Sequence, residues 1–126
     1  MKNLFLPYSI ANELKEKGFN EECLTKYGET SKKLYDITKY GKNSDDYEDF
    51  TTAPLYQQVI DWFREKHNME VQAASWKEAG TVIYIYSVHN IVTQESRYKL
   101  DDDKKFITYH EALDAAIEEA LKLISE

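Results

Sequence analysis

The sequence predicts an α+β fold: a small antiparallel sheet with helices packed on one face. Three observations carry this. Apolar residues recur at helical spacing in three segments, residues 81–89 are apolar on both alternating sets, and turn-forming residues separate the extended stretches. The expected order is α-β-β-α-β-β-(β)-α. A chain of 126 residues that is 42% hydrophobic can build one domain around a core of its own.

The first helix is expected over residues 7–17. Pro7 suits a first helical position, where the missing N–H would be unpaired anyway, and Ile10, Ala11 and Leu14 share one face. Gly18 can take the left-handed conformation that ends a helix, with Phe19 folding back on Leu14 as in a Schellman cap. Strands at residues 22–27 and 33–38 follow, joined as a hairpin through Gly28-Glu29-Thr30-Ser31. Residues 39–52 are polar and acidic and read as a mobile loop, since loops beyond about 12–15 residues are usually functional or disordered.

The second helix is expected over residues 54–67, capped by Thr51 or Thr52, with Pro54 in its first turn. Leu55, Val59, Ile60, Trp62 and Phe63 form its apolar stripe, and Asn68 can end it because asparagine tolerates a positive φ. Residues 69–76 read as a strand, Lys77-Glu78-Ala79-Gly80 as a turn, and residues 81–89 as the next strand. In the latter, Val82, Tyr84, Tyr86 and Val88 alternate with Ile83 and Ile85. Such two-sided apolarity belongs to a central strand. A weaker strand at residues 97–100 or 104–107 is interrupted by Asp101-Asp102-Asp103. The last helix opens at a capping box, Thr108 with Glu111. Leu113, Ala116, Ile117, Ala120, Leu121 and Ile124 then repeat at helical spacing, and Ala112, Ala115, Ala116 and Ala120 permit close approach to a sheet.

Three strings are distinctive: LPYSIANELKEKGFNEEC near the start, TAPLYQQVIDWFREKHNMEV in the middle, and ITYHEALDAAIEEALKLI near the end. The middle one contains the pattern APxYxQVxDWFREK. In this order they resemble a family of small uncharacterised proteins encoded by bacteriophages, prophages and mobile elements. The resemblance implies an accessory role in a phage or integrated element and transfers no catalytic residues.

Charge narrows the partners. The net charge is −7, from 23 acidic and 16 basic residues, and the basic clusters are only the pairs Lys32-Lys33 and Lys104-Lys105. Phosphate backbones require clustered cations, so no nucleic-acid partner is expected. The apolar runs are too short for a secretory segment or a membrane span, so no membrane association is expected. With a lone cysteine, Cys23, this points to the reducing cytoplasm of a bacterial host.

Chemistry-bearing motifs are sparse. His67, His89 and His110 match neither H-E-x-x-H nor any i,i+4 pairing, so structural or surface roles are expected, with His67 favoured by the dipole at a helix end. Cys23 reads as a small buried hydrophobe rather than a nucleophile. Asp101-Asp102-Asp103 lacks the glycine and distal glutamate of a calcium loop. Gly18, Gly28, Gly41 and Gly80 are isolated and make no phosphate loop. Catalytic residues, metal and cofactor are all expected to be none.

The unusual signal is aromatic: ten tyrosines in a chain that is 13% aromatic. Tyrosine combines a rigid apolar surface with a polar tip and is enriched at binding surfaces. Tyr84 and Tyr86 project from one side of a strand, and lie on an open face if helices cover the other. Tyr35 and Tyr47 lie on the hairpin and acidic loop, near Tyr27 and Tyr40. The rival reading is that the tyrosines complete a small core. The function expected is a non-enzymatic protein-interaction module whose partner is another protein or a second copy. One alternative is a binder of nucleotide-like ligands, for which Arg64 and Arg97 are the only arginines. The other is a small hydrolase with His89 or His110 as base beside an acid.

Overall fold

The computed structural model describes residues 4–28, 30–34, 42–43, 50–98, 106 and 108–124. These residues form α1 (Tyr8–Glu16), β1 (Thr25–Gly28), β2 (Phe50–Ala53), α2 (Tyr56–His67), β3 (Met69–Glu78), β4 (Thr81–Asn90), β5 (Ser96–Tyr98) and α3 (Tyr109–Ile124). The α+β class and the order of elements follow the sequence. The strands, however, make two antiparallel sheets rather than one, β1-β2 and β3-β4-β5. The chain divides into two compact units, Met1–Val59 and Ile60–Glu126, with the division falling inside α2.

In the first unit, α1 buries Ile10, Ala11 and Leu14, the face its spacing predicts. Its end is a Schellman motif: Gly18 has φ +95°, Gly18 N–H donates to Lys15 O at 3.2 Å, and Phe19 N–H donates to Leu14 O at 2.9 Å. Pro7 is the residue before the helix rather than its first member, with extended φ and ψ. Phe5, Ala11, Tyr27 and Ala53 form a buried cluster, with Tyr8, Leu24 and Leu55 packed against it.

The expected hairpin is replaced. β1 pairs along its length with β2, from Thr25 opposite Ala53 to Gly28 opposite Phe50. Of the expected partner strand, Leu34 makes a single bridge to Tyr27, and residues 35–38 lie outside the described residues. The expected loop at residues 39–52 therefore ends in a strand, because Phe50, Thr51 and Thr52 are β-branched or aromatic and half-buried or buried. With Thr51 and Thr52 in β2, neither caps α2. Gln58 Oε1 takes that role and accepts the Leu55 N–H at 2.9 Å.

In the second unit, β3 and β4 pair without a break from Met69 opposite Asn90 to Glu78 opposite Thr81. The turn between them is Ala79-Gly80 alone, shorter than the sequence indicates, with φ of +50° and +81°. Positive φ at both central residues is the geometry whose twist matches a two-residue hairpin. β4 is central, as expected: β3 lies on one edge, and β5 and the bridge from Phe106 to Tyr84 lie on the other. α3 packs on β3 and β4. Its Ala112, Leu113, Ala116, Ile117, Ala120 and Leu121 are buried, so the small residues bring the helix close to the sheet. Thr108 Oγ1 accepts the Glu111 N–H at 3.1 Å, as the predicted cap requires, while Glu111 Oε1 accepts the Thr108 hydroxyl at 3.1 Å rather than the Thr108 N–H of a full capping box.

Candidate functional site

Residues directly opposite in an antiparallel ladder share a face. One face of the β3-β4 hairpin carries the pairs Val71 with Val88, Ala73 with Tyr86, Ser75 with Tyr84, and Lys77 with Val82. Tyr84 meets Tyr109 of α3 edge-on, with ring centres 6.3 Å apart, which identifies this as the face α3 covers. The cover is complete at one end, where Val71 and Val88 are buried, and runs out along β4 toward the hairpin turn.

The two tyrosines expected at an open face accordingly part company. They do share a face, but α3 lies on it. Tyr86 is 8% exposed and packs against Phe106 at 6.1 Å, so it belongs to the core. Tyr84 is half-buried. Beyond it, Tyr109 and Val82 are 42% and 54% exposed. The aromatic rim of the sheet is therefore Val82, Tyr84 and Tyr109. Tyr35 and Tyr47 lie outside the described residues. Sequence reasoning missed Tyr109, although its position immediately after the cap Thr108 placed it in an exposed first turn.

The opposite face carries a polar row. Glu70 stands opposite His89 in the β3-β4 ladder, and His89 stands opposite Ser96 in the β4-β5 ladder. Arg64, on α2, grips Glu70 with both prongs: Nε donates to Oε1 at 2.8 Å and Nη2 to Oε2 at 3.0 Å. Its Nη1 reaches Asp61 at 3.3 Å. These Arg64 hydrogen bonds hold the Glu70 carboxyl below the usual carboxylate range, with smaller help from His89. His89 Nδ1 and Ser96 Oγ are 2.6 Å apart.

The other titratable groups are dispersed. His67 lies 4.6 Å from the Trp62 ring, and burial lowers its pKa. The direction is opposite to the one the dipole at the helix end favours. His110 touches the edge of Tyr109. Cys23 is buried as expected, its thiol donates to Glu21 O at 3.4 Å, and burial pushes its pKa up to about 11. Such a thiol is a poor nucleophile. Among the described residues, no three His, Cys, Asp or Glu side chains group to hold a metal ion, and no helix is long and apolar enough to cross a membrane.

In the polar row Arg64 ties α2 to β3 through both Glu70 oxygens, and His89 meets Ser96 across β4 and β5. The rim presents rings and a branched aliphatic side chain at the end of a sealed sheet face. No family model, no curated protein and no solved structure matches the chain.

Proposed function

We propose that this chain is a non-enzymatic protein-interaction module, acting as an accessory protein of a bacteriophage or integrated element in the bacterial cytoplasm. It engages its partner through Val82, Tyr84 and Tyr109. The observation that carries this reading is the uneven cover of the sheet. Val82 and Tyr109 remain 54% and 42% exposed beside a half-buried Tyr84, on a face whose other end is sealed. Aromatic rings anchored at the edge of a rigid sheet provide contact area at low entropic cost. The phage or mobile-element setting rests on the three sequence strings, and the reducing compartment on the single buried cysteine.

The polar row lends less to the hydrolase reading. Ser96 and His89 are within hydrogen-bond reach, but Glu70, the carboxylate opposite His89 in the ladder, is committed to Arg64. The interaction reading is tested by using the protein as bait in bacterial lysate beside Tyr84→Ala, Tyr109→Ala and, as a control away from the rim, Lys66→Ala. A partner retained by the wild type and Lys66→Ala but lost from both tyrosine variants is the expected result. Retention by all four would remove the rim from consideration.

A further inference from the structure

We infer that β3 is a pairing edge, through which two copies of the chain join antiparallel and fuse their three-stranded sheets into one of six strands. β4 is bordered on both sides, by β3 on one edge and by β5 and Phe106 on the other. β3 is terminal, and among the described residues no strand pairs with its outer edge. Half of its backbone N–H and C=O groups therefore point away from β4, as a template for another strand. Side chains on both faces are exposed: Gln72 and Ala74 on one, Ser75 and Lys77 on the other.

Proteins usually guard such an edge with a proline, a bulge or a charge at its centre. β3 has none of these. Its ladder with β4 runs through ten consecutive pairs, and Val71 to Trp76 contains neither charge nor proline. The charges nearer its ends restrict the register instead. Centring a twofold axis on Glu70 or Lys77 would set like charges directly opposite, which destabilises antiparallel pairs. Centring it on Ser75 places Ser75 opposite Ser75 of the second copy and Lys77 opposite Ala73. In that register residues 72–78 of the two copies pair with no like charges opposite, so a second copy supplies the strand with nothing added.

This register also joins the aromatic rims. Phe106 bridges Tyr84, and Tyr84 stands opposite Ser75. The row Phe106, Tyr84, Ser75 would continue into its own reverse in the second copy. At the usual strand spacing the two Tyr84 positions come to lie about 14 Å apart on one face. The pairing extends the proposed rim but stands on the strand edge, so either can fail without the other.

Sedimentation equilibrium of the full chain across the micromolar range, with circular dichroism of each variant, tests this. The wild type should show twice the mass of the chain. Ser75→Lys, a change at an exposed side chain, should keep the fold and weaken dimerisation at least about tenfold. Ser75→Cys should give a disulfide-linked dimer on mild oxidation, because Cα atoms opposed across an antiparallel pair lie within disulfide range. Lys66→Cys should not, and the buried Cys23 should stay out of the reaction. A single-copy mass at every concentration overturns the proposal, as does a Ser75→Cys chain that does not cross-link. A dimer broken by Tyr109→Ala but untouched by Ser75→Lys overturns it too, because association would then run through the rim.

Discussion

The two units hold their backbones together by different means. In the first, strands are four residues long, and side chains distant in sequence complete the work. Asn43 donates to Phe19 O and accepts the Thr52 N–H, both at 2.9 Å. The Tyr27 hydroxyl donates to Leu6 O at 2.5 Å, Lys15 Nζ to Phe50 O at 2.8 Å, and Gln58 Nε2 to Glu22 O at 2.6 Å. In the second unit a ten-pair ladder and an alanine-rich helix supply the order. Where ladders are short, polar side chains are absorbed in tying the chain to itself. Both proposed contact surfaces, the rim and the outer edge of β3, fall in the second unit, where the ladder is long.

The sharpest way to break this contrast is to remove a core side chain from each unit. Phe19 is 1% exposed at the Schellman turn, and Leu113 is 1% exposed under α3. Phe19→Ala should cost about 3–5 kcal/mol and Leu113→Ala about 2–5 kcal/mol. Cys23 reports which unit has opened. Burial pushes its thiol up to about 11, so the folded chain holds far less thiolate at pH 8 than an exposed thiol does. Phe19→Ala should accelerate alkylation of Cys23 under native conditions, whereas Leu113→Ala should leave it protected if the units open separately. Equal acceleration in both variants would mean that they melt as one cooperative body.

The next effect divides two tyrosines of one strand. Tyr86 is core, so Tyr86→Ala should destabilise by about 3 kcal/mol or more in urea unfolding. Tyr84 is half-buried, and Tyr84→Ala should cost about 1 kcal/mol. Comparable losses from the two changes would show that the rim is as much a part of the core as Tyr86, and would remove its claim to be a contact surface.

How much of this was legible beforehand depends on the range of the interactions. α1 with its Gly18-Phe19 stop, the central position of β4 and the Thr108-Glu111 cap are local or periodic signals, and they were read correctly. The pairing of β1 with β2 was not, because it joins segments across a polar stretch and is decided by which apolar surfaces meet. The Gln58 cap was missed for a related reason: threonines that look like caps were claimed by a strand. At the candidate site, alternation put Tyr84 and Tyr86 on one face but could not say that α3 covers it only in part. Periodicity gives the face of a strand, whereas exposure depends on where the helix above it begins. Ser96 beside His89 depended on a register that no local pattern encodes.

The smallest effect tests the polar side of the second unit. Burial against Trp62 lowers the pKa of His67 below its ordinary 6.5, so the unfolded chain binds this proton at a higher pH than the folded one. The stability contributed by the neutral ring is therefore complete above pH 6.5 and falls as pH drops below it toward the folded value. Glu70, whose pKa is depressed by Arg64, loses its contribution in a separate, more acidic window, below its ordinary 4.5. Urea midpoints measured from pH 7.5 down to pH 5 should decline for the wild type and flatten for His67→Phe. Fluorescence of Trp62 in a Trp76→Phe background should follow the same titration, because the His67 imidazole packs edge-on against the indole with ring centres 4.6 Å apart. An unchanged slope in His67→Phe would move the acid sensitivity to other groups and leave the Trp62-His67 contact without a role in it.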